Sequence, residues 1–454
     1  MAKNKKRKKA QKAPPAPQSG YKHSQAYMEA CYATAKRIIR AIDGDEKLLD
    51  AFTKRQKQDL FCVTVTPPYV AAMQGHKVPR SFLDYIQGSV TMCLKRDIFD
   101  EELGVTWMEI MTVGQCLEMM LNAIVKGNRL PPPQDDVARQ LLATLKESEI
   151  TMKGQMMIAE TIRISLMSLS QPNFRIYGLA QIRPEVLVGR ALVHHWEYIT
   201  THECQSMRFT YYGKEHLAYR VLQGPMGETS CTGATIAMSK LFPDVDNDRK
   251  LDIYIQSHAL HRLKERIDTL HAVVRNQSIL LSLMYVQKVI RGADGRLYIA
   301  YVMPQGPYER TLGYFAFTID GDNLIVLTFL PMFNERMPEG EHLRKRLRFS
   351  QEDLRHLGMD KLSFFYDVDI KQIPLLKQIL FDELHLEDVR KVYSTSYTKS
   401  DPFNDKRTSF VKNFFAKVEE RLADTVEDSP AFPVMETEIP ENEQKFPDLC
   451  DPTL

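Results

Sequence analysis

The sequence predicts an α+β protein: an N-terminal α-helical domain, then helices packed on an antiparallel sheet, then a set of C-terminal helices. Three observations predict it. From Ser24 to Ser170 apolar residues recur at spacings of three and four, the helical period. From Val286 to Phe329 the period switches to two, with Asp294-Gly295 and Asp320-Gly321 at the turns. Beyond Phe333 the helical period returns and ends in Phe410, Val411, Phe414, Phe415, Val418 and Leu422, an apolar stripe that must dock on something.

A chain of 454 residues is long for one domain, so two or three folded units are expected. Hydrophobic residues at 44% and charged residues at 26% are ordinary globular values. Lys and Arg number 60 against 58 Asp and Glu, a net charge of +2, which excludes a protein basic over its whole surface. The 7 cysteines include no CxxC, which argues against a disulfide scaffold or a cysteine zinc ribbon and fits a reducing compartment. No apolar run follows the basic N-terminus and no stretch of about 18 apolar residues occurs. The expectation is a cytoplasmic protein with no membrane contact.

Residues 1–23 carry Lys3, Lys5, Lys6, Arg7, Lys8, Lys9 and Lys12 before the first acid, and then Pro14, Pro15 and Pro17. This reads as a solvated basic tail, an electrostatic anchor for RNA, DNA or ribosome or else a solubilising extension. Residues 24–170 read as the helical domain, broken at Leu130-Pro131-Pro132-Pro133. Its methionines (Met119, Met120, Met152, Met156, Met157, Met167) read as core filler. Residues 171–250 read as a mixed connecting segment with a hairpin around Gly213. There His194, His195, His202 and Cys204 match no zinc spacing. The Gly224–Gly233 loop lacks the Lys-Ser/Thr of a phosphate loop, and Asp244–Asp252 lacks the glycine and glutamate of a calcium loop. Residues 346–424 read as C-terminal helices, with Ser350 at a helix start and a basic cluster at Arg344, Lys345, Arg346 and Arg348. Residues 425–454 are acidic and proline-rich, and read as an unpacked tail.

The segment with chemical content is 251–345. Leu251–Ile255 alternates as a strand, and Ser257 then reads as the N-cap of a helix. Leu260, Leu263, Ile267 and Leu270 share one face of that helix, while His258, Arg262 and Arg266, spaced at four, line a separate polar stripe. A second helix is expected around Leu270–Leu283, although Ser278–Met284 also fits an extended run, and a four-stranded meander follows.

Strand, His-Ala-x-x-Arg-x-x-Glu-Arg helix (His258, Ala259, Arg262, Glu265, Arg266), second helix and meander resemble the RelE/ParE-like toxin superfamily, over Leu251–Phe333. The resemblance implies a RelE-like domain that acts on or binds RNA, as a metal-independent endoribonuclease with no cofactor. His258 would act as base or acid, and Arg262 and Arg266 would clamp phosphate oxygens. Tyr298 or Tyr301 would stack a base, only one of them because they point to opposite faces. The active ribonucleases carry basic and aromatic residues on their last strands. Here Asn323–Phe333 is almost wholly apolar, and Arg310 and Arg336 are the nearby substitutes. The competing reading is a non-catalytic scaffold that uses the same fold to recruit a protein partner.

Overall fold

A computed structural model of the chain describes residues 24–127, 130–131, 133–180, 185–186, 192–227, 230–243, 248–305, 308–392 and 402–427. The basic tail, the acidic stretch beyond Glu427 and the aspartates Asp244 and Asp246 lie outside the described residues.

With a short helix at Lys54–Leu60, five helices longer than ten residues build the N-terminal lobe. They are α1 (Gln25–Ala41), α2 (Arg80–Arg96), α3 (Trp107–Lys126), α4 (Gln134–Glu147) and α5 (Ile150–Leu169). The spacing of their buried residues explains them: Ile86, Val90 and Leu94 on α2, or Ala138, Leu141, Leu142 and Leu145 on α4, fall on single faces. By length and composition α3 is apolar enough to cross a membrane. Its Cys116, Leu117, Leu121 and Ile124 nevertheless pack into one core with Ala35 and Ile39 of α1 and Leu141 of α4. Met167 of α5 is buried, but Met152 and Met156 are exposed, which corrects the expectation that both fill the core.

The lobe is not purely helical. Strand β1 (Tyr69–Ala72) pairs in parallel with β3 (Trp196–His202), and β3 pairs antiparallel with β2 (Ile176–Ala180). The start of the supposed connecting segment thus belongs to the N-terminal lobe. Most of the rest joins a large mixed sheet, beginning with the hairpin β4 (Ser206–Tyr211) and β5 (Lys214–Arg220), while Leu222–Gln223 and Thr232–Gly233 pair apart from it. Tyr212 and Gly213 both take positive φ at the hairpin's two-residue turn.

The remaining strands are β6 (Thr235–Ala237), β7 (Lys250–Gln256), β8 (Val289–Arg291), β9 (Leu297–Gln305), β10 (Tyr308–Asp320) and β11 (Asn323–Pro331). The sheet runs β8-β9-β10-β11-β7-β5-β4, with β6 also on β7. The meander β8–β11 is antiparallel throughout, as the turns predict. The β7–β11 pair is parallel, so the sheet is mixed rather than antiparallel.

Between β7 and β8 lie α6 (Ser257–Arg266) and α7 (Ala272–Leu280), the latter continued by a π turn through Val286. The Ser278–Met284 run is therefore helical. On α6 and just after it, Ala259, Leu263, Ile267 and Leu270 are buried, and Leu260 is only half-buried. The C-terminal elements include α8 (Pro338–Leu347), α9 (Gln351–Leu357) and α10 (Asp405–Glu427). They share one core with the sheet, in which Phe349, Val411, Phe415 and Val418 join Ile253, Leu263 and Phe329. Residue 345 is therefore not a boundary between cores, and α10 runs three residues beyond its expected end.

Candidate anion-binding site

Strand β7 buries Leu251, Ile253 and Ile255 on one face and ends at Gln256, where the chain turns directly into α6. Gln256, not Ser257, holds the N-cap position, and no side chain caps the helix there. The first N–H groups of α6 are thus left to solvent or to a ligand, and the helix dipole favours an anion at this end.

Beside this turn lies a cavity of about 550 Å³. Its chemical groups are His258 of α6, His216 of β5, Tyr211 of β4, Gln256, Arg296 and Arg336, with Tyr298 and Thr328 in the wall. No carboxylate is among its lining residues. Gln256 is 7% exposed, and its amide makes no side-chain hydrogen bond among the described residues. The imidazoles of His216 and His258 likewise make none with the described residues. His216 lies two residues before Ala218, the antiparallel partner of Gln256, so it flanks the first turn of α6 from the neighbouring strand. The ring of His216 lies 5.6 Å from that of Phe209 and 6.4 Å from that of Tyr211, which together steady it.

Electrostatics agree with an anion site. Burial lowers the His258 pKa below the ordinary imidazole value, the cationic neighbour Arg262 and then His261 lower it further, and Glu265 opposes them. His258 is therefore neutral near pH 7 and can accept a proton. Burial and Tyr212 raise the Tyr211 hydroxyl, and the approach of Arg296 and Arg336 partly offsets this. The Tyr298 hydroxyl is pushed up to about 12 by burial and by its 2.7 Å bond to Asp294, with Arg336 pulling the other way. Arg336 thus approaches both phenols, and Arg296 approaches Tyr211.

A second, smaller cleft of about 170 Å³ opens on the other side of His258. Its polar lining is His258, Arg262, Arg266, Thr328, Asn334, Gln351, Arg355 and Asp360. His258 and Thr328 belong to both clefts.

The expected site residues divide sharply. His258, Arg262, Arg266 and Arg336 reach one cleft or the other. Arg266 is bound to Asp360 in an ion pair whose side chains are 16% and 4% exposed, so most of its charge is already neutralised. Arg262 pairs with Glu265 at 2.9 Å and stays about two-fifths exposed, which leaves it able to exchange partners. Tyr301 does not reach the site. It is 0% exposed and packs edge-on against Phe315 and Phe329 beneath α7, so it cannot stack a base. Tyr298 contributes its hydroxyl edge, but at 2% exposure it offers no face for stacking either. Arg310 is absent from both clefts: its guanidinium donates to the His385 carbonyl at 2.5 Å and pairs with Asp388, which ties β10 to the C-terminal elements. In the basic cluster, Lys345 pairs with Glu341 and Arg346 with Glu383, and neither lines a cleft.

Sequence reasoning missed His216, Tyr211, Gln256, Arg296 and Arg355. His216 carried a faint local signal, being the polar member of the alternation that puts Ala218 on the same face of β5. Among the described residues no three His, Cys, Asp or Glu side chains gather as a metal site. No protein-family model matches the chain, and neither a curated protein nor a solved structure matches it.

Proposed function

We propose that this protein binds single-stranded RNA along the cationic cavity at the start of α6 and cleaves it there, with His258 as the reacting base. One observation carries the reading. An imidazole that is neutral near pH 7 and makes no hydrogen bond with any described residue sits at an uncapped helix start, in a cavity whose lining holds two arginines, a second imidazole likewise unbonded among the described residues, and no carboxylate. Arg296 is held only loosely, 4.0 Å from Asp294, and Arg336 by the Tyr298 hydroxyl, so a phosphodiester entering the cavity meets two cations that can turn to it and two imidazoles that make no hydrogen bond with described residues. The resemblance of Leu251–Phe333 to RelE/ParE-like toxins favours the same chemistry.

The step balances without a further reactant. His258 takes the proton of a ribose 2′-hydroxyl, and the 2′-oxygen bonds to phosphorus. The bond from phosphorus to the 5′-oxygen breaks, and a protonated His216 gives its proton to that oxygen. The products are a 2′,3′-cyclic phosphate and a 5′-hydroxyl end. Arg296 and Arg336 offset the charge that grows on the phosphorane oxygens. Tyr211, half-buried at the cavity wall, takes the base-contacting role first assigned to Tyr298 or Tyr301.

The test is incubation of the full chain with RNA in EDTA. Cleavage that leaves cyclic phosphate ends and disappears in His258→Ala supports the enzyme. Binding without cleavage that weakens steeply with salt reduces the site to an RNA-binding groove. Neither binding nor cleavage overturns the RNA reading and leaves the scaffold for a protein partner.

A further inference from the structure

The smaller cleft is completed by parts of the chain that the strand–helix–helix–meander unit does not contain. One wall is the His258, Arg262, Arg266 stripe of α6, and the floor is Thr328–Pro331 of β11. The far wall is Gln351 and Arg355 of α9, with Asn334 from the loop after β11. That loop is held tightly. The Gln351 Oε1 accepts from Asn334 Nδ2 at 3.4 Å and from the Glu335 N–H at 3.3 Å. Behind it, α8 presses so close that a Cβ on Gly340 would lie 2.0 Å from the Asn334 carbonyl oxygen. Only glycine permits that approach, so the wall is fixed by packing rather than by chance.

The charges in this cleft are not equivalent. Asp360 already neutralises Arg266, and Glu265 partly satisfies Arg262. Arg355 is exposed, and its side chain makes no ion pair or hydrogen bond with any described residue. A cation without a partner therefore faces Arg262 across a cleft that shares His258 and Thr328 with the larger cavity.

We infer that the smaller cleft is a second phosphate subsite, and that the ligand is an RNA strand with one phosphate at Arg296 and Arg336 and the next at Arg262 and Arg355. This deepens the proposed RNA reading and rests on it. The two clefts meet at His258, so a ligand lying in both must pass over the imidazole. A mononucleotide, or any compact anion, fills one cleft and leaves the other's arginines unmatched. A strand continuous on both sides places a backbone linkage, not a chain end, over His258. The substrate class is thus an internal phosphodiester of a single strand.

The experiment compares two non-cleavable probes on the full chain, a 2′-O-methyl dinucleotide with one phosphate and a 2′-O-methyl octanucleotide, across a salt series. Arg355→Glu is expected to weaken octanucleotide binding about tenfold or more and to flatten its salt dependence by roughly 0.7 in log–log slope, the value for one single-strand phosphate contact. Dinucleotide binding should stay within about twofold. Arg336→Ala should weaken both probes. If the wild type binds the octanucleotide and Arg355→Glu binds it equally well with the same slope, the subsite is wrong and the RNA reading stands. Equal losses on both probes also overturn it, because Arg355 then acts on the whole groove. If the wild type binds neither probe, the RNA reading fails and the subsite with it.

Discussion

The two faces of the large sheet use the same residue types to opposite ends. On the face under α6 and α7, Ile253, Ile255, Leu324, Val326, Tyr301, Phe315 and Phe329 merge with the C-terminal helices in one dry core. On the other face a small apolar cluster of Phe209, Ala218 and Ile325, with Met207, Tyr211, Tyr254 and Leu327, is drawn from strands alone. The first face pairs polar groups internally: the Ser282 hydroxyl donates to the Ser278 carbonyl and accepts from the Val302 N–H. Along the second face and its rim, His216, Gln256 and His258 keep their polar atoms unspent. Burial without a partner is costly, so polar groups left unpaired are favoured where water or a ligand reaches them. Polar residues of similar size therefore serve packing on one side and stay available to solvent or a ligand on the other.

Breaking this contrast should affect activity first. His258→Ala is expected to lower metal-free RNA cleavage by about 10²–10⁴-fold, the usual worth of a positioned acid or base. Its thermal melting curve should stay close to the wild type's, because the imidazole holds nothing together. A melting loss as large as the core variants' would place His258 in the scaffold instead. Tyr301→Ala should do the reverse. It empties an enclosed aromatic site and should cost about 3–5 kcal/mol in denaturant unfolding, without a specific effect on RNA contacts in the fraction still folded. Survival of Tyr301→Ala with unchanged stability would contradict the edge-to-face trio with Phe315 and Phe329.

The contrast sharpens within a single helix. Arg262 and Arg266 lie one turn apart, yet one pairs at the surface and the other with buried Asp360. Arg266→Ala strands that carboxylate and should destabilise the fold by about 3–5 kcal/mol, whereas Arg262→Ala should cost less than about 1 kcal/mol. Chemical denaturation of the two variants in parallel checks the ordering. Equal costs would mean the Asp360 pair is not buried in solution.

The smallest effect is a titration. The folded His258 pKa lies below its unfolded value of about 6.5, so the folded state disfavours the proton. The contribution of this group to stability is present above that value and is lost as the pH falls through the folded pKa. The acidic limb of cleavage should also sit below about pH 6.5. By NMR, Arg262→Ala should move the His258 midpoint up, because it removes a cation, and Glu265→Gln should move it down. Shifts of the opposite sign would mean the ring faces other charges.

Much of the frame was readable in the residues. The period-two runs and Asp-Gly turns define β9, β10 and β11, and the His258, Arg262, Arg266 stripe follows from four-residue spacing alone. What failed depended on distant partners. Nothing near Arg266 announces that Asp360 will capture it, and nothing near Tyr301 says that a helix will lie over it. The hairpin carrying Tyr211 and His216 joins the site only through β5–β7 pairing, and long-range register leaves no local mark. Arg310 looked available because Asp388, which binds it, follows 78 residues later.

The parallel contact between β7 and β11 fixes when the groove can exist. Its neighbours on the sheet are separated by two helices and three strands, and closing so long a loop comes late in folding. Tyr211, His258, Arg296, Arg336 and Arg355 come together only after Asn323 onward has been synthesised and α9 has settled. An incomplete chain emerging during translation would therefore have no groove, and an excised 251–333 fragment would lack Tyr211, His216, Arg336, Asn334, Gln351 and Arg355 of its walls.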